Sequence, residues 1–328
     1  MAILAGIDEA GFGPLLGPLV VSSTAFHIDP GRAGAKDSPS LQNVDLWEML
    51  RKSVGKSRKR LGGRLLIADS KKAYHRSEGL GHLERTSLAM LESMGQQPAD
   101  LHELLWRLCP ECLDRLAEYP WYQGLPQCRL AAESPERRIA TQVFAEDLHA
   151  HEAALVHLRT CCLDVAYFNR MVHSVRNKAQ VLFIAVTQLV QALLNAFPSE
   201  SICLLIDRQG GRAHYRENLL RSFPDMDLAV VQEGEECSIY EMRRGRGTVR
   251  LTFEVEADDH YLPVSLASMI SKYVRELLMD RMNLYFGSLD AGLRPTAGYW
   301  QDGQRFVEEL RTRLPHLKID DERLIRCR

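Results

Sequence analysis

The sequence predicts an α/β fold, and three features carry that expectation. Short apolar, β-branched runs bounded by glycine, proline or acidic residues recur at 3–7, 15–25, 202–206 and 248–255. Longer stretches with the apolar period of a helix lie at 169–197 and after Pro263. The composition, 45% hydrophobic and 26% charged over 328 residues, supplies enough apolar side chain for one large core or two modest ones and is far from that of a disordered chain. The 41 Lys and Arg nearly balance the 43 Asp and Glu, giving a net charge of −2, which excludes a basic coat protein or an acidic tail.

In chain order, Ile3–Ile7 reads as a strand, followed by a tight turn with Gly11, Gly13, Pro14, Gly17 and Pro18, and a second strand over Leu15–Ala25. The basic stretch Arg51–Arg64 is either a solvated loop or helix face, or a contact for phosphates. It leads into Leu65–Ala68 and the tetrad Asp69-Ser70-Lys71-Lys72. Residues 74–160 are rich in Leu, Glu, Arg and His, include Trp106 and Trp121, and are expected to form a mostly helical insertion. Asn169–Phe197 reads as one long helix, amphipathic to fully buried, stopped by Pro198. Its greasiest part, Val181–Phe197, is interrupted by Thr187, Gln188, Gln191 and Asn195 and is expected to be a core helix, too short and too polar for a bilayer span.

Ile202–Ile206 is an unbroken apolar run suited to a strand covered on both faces, delivering Asp207 at its carboxyl end before Gly210-Gly211. Ser238–Met242 and Thr248–Val255 read as a hairpin with the basic tip Arg243-Arg244-Gly245-Arg246-Gly247. After Pro263, the positions Val264, Ala267, Ile270, Val274 and Leu278 mark one apolar helix face, with Lys272, Arg275 and Glu276 elsewhere on the helix. Gly298-Tyr299-Trp300 then precedes a final helix over Phe306–Leu314.

The amino terminus has no basic leader segment, and the eight cysteines lack the dense spacing of a small secreted framework, so a cytoplasmic location with reduced thiols is expected. Cys109 and Cys112 have zinc-ligand spacing, but no second pair follows, and Cys128, Cys161 and Cys162 would complete only an irregular site.

Three strands run into acids: Asp8 and Glu9, Asp207, and Asp258 with Asp259. Taken singly, each is an ordinary polar strand end. Gathered together, such carboxylates repel one another and take up protons unless a cation sits among them, and a nest of oxygens without His or Cys points to Mg2+ or Mn2+. Two such ions form a clamp for phosphoryl transfer.

Gly6-Ile7-Asp8-Glu9-Ala10-Gly11-Phe12-Gly13-Pro14 with Gly17-Pro18 closely resembles the opening signature of ribonuclease HII, the type 2 ribonuclease H family. Asp69-Ser70-Lys71 resembles that family's DSK element, and Leu205-Ile206-Asp207 resembles the strand bearing its third acid. Ala257–Lys272 resembles its fourth acid and the serine-rich helix that follows, and Gly298-Tyr299 its GY element. The matches keep the family's order and cover roughly the first 72 residues and 165–310.

The resemblance implies a ribonuclease H-like mixed sheet flanked by helices, with a core of 1–73 and 161–285, the insertion at 74–160, and a C-terminal helical extension at 286–328. It implies that Asp8, Glu9, Asp207 and Asp258 bind Mg2+ or Mn2+, with Asp259 only capping the helix. Gly11, Gly13 and Tyr299 would sense the ribose, and Ser70, Lys71, Lys72, Lys272 and Arg275 would face the substrate backbone, where the plain reading makes the lysines and arginine solvated surface residues. Phe12 stands where the family has arginine; it either packs against the insertion or takes a changed substrate role, and one charged phosphate contact is lost. The implied activity is metal-dependent, two-metal hydrolysis of RNA paired with DNA, or of ribonucleotides embedded in duplex DNA, leaving 5′-phosphate and 3′-hydroxyl ends. The alternatives are a non-catalytic nucleic-acid-binding relative and a nuclease of the same fold with another substrate. No membrane is expected as a partner.

Overall fold

The computed structural model describes residues 2–31, 39–74, 79–244 and 247–327. Strands β1 (Ala2–Ala10) and β2 (Leu19–Ile28) pair antiparallel, Ala2 opposite Ile28 and Ala10 opposite Val20. The second strand starts later than Leu15, because Leu15 and Leu16 donate their backbone N–H groups to Gly298 O at 2.7 and 3.1 Å instead.

Helix α1 (Leu46–Met49), the short parallel ladder of β3 (Val54–Gly55) with β4 (Leu65–Leu66), and helix α2 (Ser70–Ala73) follow. The basic stretch 51–64 therefore forms no helix face. Arg64 ties its loop together by donating to the carbonyls of Arg51, Val54, Arg60 and Leu61.

Helices α3 (Gly81–Ser93), α4 (Leu101–Leu108), α5 (Leu113–Ala117) and α6 (Pro135–Ala150) occupy most of the next segment. β5 (Ala154–Leu163) then pairs antiparallel with β2, Leu163 opposite Leu19. The boundary expected between 160 and 161 thus falls inside a strand of the main sheet. Leu83, Leu104 and Phe144 join the same buried cluster as Leu4 and Leu266, so these helices complete the central core and do not build one of their own.

The helix expected over 169–197 is two, α7 (Val165–Val175) and α8 (Lys178–Ala196). Arg176 adopts φ +52°, and Asn177 caps α8 by accepting from the N–H groups of Ala179 and Gln180. At 19 residues and mean hydropathy 1.5, α8 is long and apolar enough by length and composition to cross a membrane, contrary to expectation; half of that stretch is buried in the fold.

β6 (Ser201–Asp207), α9 (Arg216–Ser222), β7 (Asp227–Gln232), β8 (Cys237–Arg244) and β9 (Gly247–Glu254) come next. The hairpin of β8 and β9 is as expected, with Gly245 and Arg246 of its tip outside the described residues. Short α10 (Ala257–His260) leads to α11 (Leu262–Leu289), and α12 (Trp300–Arg313) and α13 (Asp321–Leu324) close the chain, α12 beginning at Trp300, earlier than Phe306.

The seven-stranded sheet has the order β5-β2-β1-β6-β9-β8-β7. β1 pairs parallel with β6 and β6 with β9, and the remaining neighbours are antiparallel. This mixed sheet flanked by helices is the expected architecture. Side chains of β1 alternate between its two faces: Ile3, Ala5 and Ile7 join Phe183 and Val186 of α8, while Leu4 joins Leu266 of α11. A Cβ on Gly6 would run into the backbone of Pro263 and Val264, so α11 lies directly on the β1 backbone and its serines reach Asp8.

Candidate active site

The parallel ladder of β1 with β6 ends at Ile7 opposite Ile206, and that of β6 with β9 at Asp207 opposite Glu254. Asp8 and Asp207 therefore emerge side by side at the carboxyl ends of central strands, where ligand crevices form in open α/β sheets. Glu256, at φ +54°, turns the chain out of β9, so that the Ala257 N–H donates to Asp207 Oδ1 at 2.9 Å and Asp258 follows on α10. Asp258 thus sits on a helical turn just past its strand. Ser265 Oγ donates to its backbone carbonyl, and Ser271 Oγ donates to that of Asp8 at 3.0 Å.

The four acids share one electrostatic field. Burial first, then Glu9, Asp207 and Asp258, pushes the Asp8 carboxyl well above its usual range, opposed by a hydrogen bond from Ser268. Glu9 is pushed up to about 8 by burial and Asp207, with Lys71 opposing. Burial and Asp207 raise Asp258 to about 7; burial raises Asp207 to about 6 against the Ala257 N–H and Lys71. Burial opposes the charge of Lys71, but Asp69, Asp258, Asp8 and Asp207 raise its pKa above the ordinary lysine value.

Among the described residues, no group of three or more His, Cys, Asp or Glu side chains stands at metal-holding spacing. The donor set is nonetheless entirely oxygen and carries more negative charge than the neighbouring lysine offsets, chemistry that fits a hard divalent cation. The acids are gathered without being closed into a ligand shell.

The other expected site residues divide. Ser70 is buried and accepts from Ser268 Oγ at 3.0 Å, which locks α2 to α11. Lys71 is exposed and acts on the acids, whereas Lys72 pairs with Asp259 at 2.5 Å. Asp259 is thus an ion-pair partner, and the first turn of α11 has no side-chain cap. Lys272 is largely covered and bonds Glu276 at 2.8 Å, with its ammonium 4.9 Å from the Tyr74 ring and 6.0 Å from the Tyr299 ring.

Arg275 lines no groove, because it is fully buried. It bonds Glu276 at 3.0 Å, donates to Ala297 O at 3.0 Å, and comes within 2.5 Å of where a Cβ on Gly11 would stand. Gly11 has φ +90°, Gly13 is exposed with open space about it, and Tyr299 is 51% exposed beside Arg275. Phe12 packs on the α7–α8 side of the sheet, not on the insertion, with Lys178 5.3 Å from its ring.

Two participants escaped the sequence reading. Asp69, in view as part of the tetrad but unassigned, caps α2 through the Lys71 N–H and bears directly on Asp258. Arg326 reaches back to the carbonyls of Gly11 and Phe12 from the far end of the chain; no local pattern announces a contact over that separation.

No protein-family model and no curated protein matches this chain. Solved structures do. The ribonuclease HII of the PCNA:RNase HII complex from Archaeoglobus fulgidus is 17% identical, with 99% of this chain and 94% of that one covered at a TM-score of 0.46. The ribonuclease H2 from Pyrococcus horikoshii is 14% identical, with 98% and 92% covered at 0.45. The Aquifex aeolicus RNase H3 is 14% identical, with 98% and 70% covered at 0.42. The solved proteins to which this chain is similar are type 2 ribonucleases H, at low sequence identity.

Proposed function

We propose that the chain is a metal-dependent endoribonuclease that hydrolyses the RNA strand of RNA/DNA hybrids, or ribonucleotides embedded in duplex DNA, leaving 5′-phosphate and 3′-hydroxyl ends. The observation that carries this reading is the convergence of Asp8, Glu9, Asp207 and Asp258: the other three all raise the Asp8 pKa, and Asp207 also raises those of Glu9 and Asp258. A protein that only binds nucleic acid gains nothing from a repulsive carboxylate nest facing a polyanion.

These four acids would hold Mg2+ or Mn2+, which when bound supplies a water of lowered pKa and charge to offset that developing on the phosphate. Lys71, exposed and beside the acids, would meet a backbone phosphate. The open backbone at Gly13 allows close approach to a 2′-hydroxyl, and the exposed Tyr299 ring offers a face for the sugar. Arg275 is a positioning residue in this reading, acting through Gly11 and the Ala297–Tyr299 turn that it holds.

The test is cleavage of two labelled duplexes, one with a single ribonucleotide in DNA and one a continuous hybrid, in Mg2+ and in Mn2+. Asp207→Asn is expected to lower the rate by at least about 10²-fold, the scale of losing one electrostatic contact to a transition state. Failure of the folded wild-type protein to cut either duplex with either metal would sink the reading. The ratio of the two rates reports what Phe12 does in place of arginine.

A further inference from the structure

Cys109 and Cys112 had zinc spacing but no second pair in the sequence, and the fold shows what surrounds them. The Cys112 N–H bonds the Cys109 carbonyl at 3.1 Å, a turn that keeps their Cα atoms within about 7 Å and inside the range a disulfide bridges. Their Sγ atoms lie 3.4 Å apart. β5 brings Cys161 and Cys162 to the same place, and all four thiols line a cavity of about 580 Å³ together with Arg115 and His157. None of the four acids lines it, and Cys128 stands apart, bonding Gly124 O.

We infer that Cys109 and Cys112 form a dithiol–disulfide pair, a modification site at which a hydroperoxide entering this cavity takes up two electrons. Both sulfurs are buried, so the oxidant must be small, and the cavity has room for molecules of the size of water and peroxide. The two thiols are not equivalent. Hydrogen bonding with Cys109 and Cys162, and the Arg115 guanidinium that lines the same cavity, pull the Cys112 thiol well below its ordinary value against its burial, while the same sulfur contacts and burial push the Cys109 and Cys162 thiols up. Arg115, a cavity-lining cation that bears on Cys112, favours a thiolate there, which assigns Cys112 as the nucleophile and Cys109 as the resolving thiol.

The Cys112 thiolate attacks one peroxide oxygen; the O–O bond breaks, and hydroxide leaves and is protonated to water. Cys109 Sγ then attacks the resulting sulfenic sulfur; the S–S bond forms, the S–O bond breaks, and hydroxide leaves with the Cys109 proton as a second water. Two thiols lose two electrons and one peroxide becomes two waters. The sulfurs need only close from 3.4 Å to about 2.05 Å. Among the described residues no metal-holding group of Cys and His is present to compete for these thiols. The inference is independent of the nuclease reading.

The test is to expose the reduced full-length protein to limiting hydrogen peroxide, denature it in a thiol-blocking reagent, and map the cysteines. Of the eight free cysteines, two should be lost, joined as Cys109–Cys112, at roughly tenfold the rate at which the more exposed Cys128 reacts. Cys109→Ser should halt oxidation at a sulfenic acid on Cys112 that dimedone traps, and Cys161→Ser should change nothing. A disulfide that joins another pair, preferential oxidation of Cys128, Cys237 or Cys327, or stoichiometric zinc released from Cys109 and Cys112 on mercurial titration would each overturn the inference. Mapping the wild-type protein decides the matter even if a serine variant fails to fold.

Discussion

Gly11 and Gly13 flank Phe12 in one loop, yet they differ in what a side chain would meet. Gly11 has φ +90°, and a Cβ there would stand 2.5 Å from Arg275 Nε and 2.7 Å from Pro18 O, with the arginine fixed by its own hydrogen bonds. Gly11→Ala is therefore expected to lower unfolding free energy by about 1–3 kcal/mol in urea titration, the scale of local strain at such positions. Gly13→Ala, in open space, should stay within about 0.5 kcal/mol of wild type and, on the proposed function, reduce only cleavage. Equal losses of stability in the two variants would contradict this account. That acids stand at the ends of β1 and β6 and that the turn after β1 needs glycine was legible because those signals are local: an apolar run ending in an acid, or a turn demanding glycine. Arg275 was misread because its burial depends on partners remote in sequence, Leu16 O and Ala297 O, which the helical pattern alone cannot supply.

At the scale of elements, the tail acts as a strut on that same loop. Ile325 bridges Leu16, the Arg326 N–H donates to Leu15 O at 2.9 Å, and Asn169 on α7 grips the Ile325 carbonyl at 2.8 Å and the Cys327 N–H at 2.8 Å. The Arg326 guanidinium, 4.3 Å from the Phe168 ring and donating to Gly11 and Phe12, is so desolvated, with Arg275 nearby, that its pKa falls to about 9. Arg326→Ala is expected to cost about 1–3 kcal/mol, since it leaves two carbonyls without donors. Lysine should restore only part, because it lacks the fork that serves both carbonyls. Denaturant unfolding of both variants checks this, and a neutral alanine variant would mean that the tail is dispensable. Most of the strand and helix pattern was legible, including the hairpin of β8 and β9 and the face of α11. The break between α7 and α8 was not, since it rests on Arg176 adopting a left-handed conformation that residues other than glycine rarely signal. β7 was missed because it is an edge strand with little buried surface, so the alternation that reveals strands is weak there.

In the whole molecule, the parallel strands β1, β6 and β9 form the middle of the sheet, and their shared end is where its negative charge collects. Charge held there opposes folding. A carboxyl whose folded pKa is raised binds its proton more tightly in the folded chain, so the stability it contributes is present below its unfolded value and is lost as pH rises through the folded one. For Asp207, Asp258 and Glu9 that window opens near the ordinary values of 3.8 to 4.5 and closes at about 6, about 7 and about 8 respectively. In chelator, the melting temperature is therefore expected to fall as pH is raised from about 5.5 to about 8. Divalent ion should reverse the fall by binding the ionised acids, by about 2.7 kcal/mol at a hundredfold excess over Kd. Asp207→Asn removes one charge from the cluster and should flatten both responses, making the metal-free protein more stable at about pH 8 than wild type. Calorimetric melts of the two proteins, with and without Mg2+, test the sign. A wild-type melting temperature that rises with pH in chelator, or an Asp207→Asn protein less stable than wild type at the alkaline end, would mean that the carboxylates are stabilised by partners other than a bound cation and would remove the electrostatic argument for a metal among them.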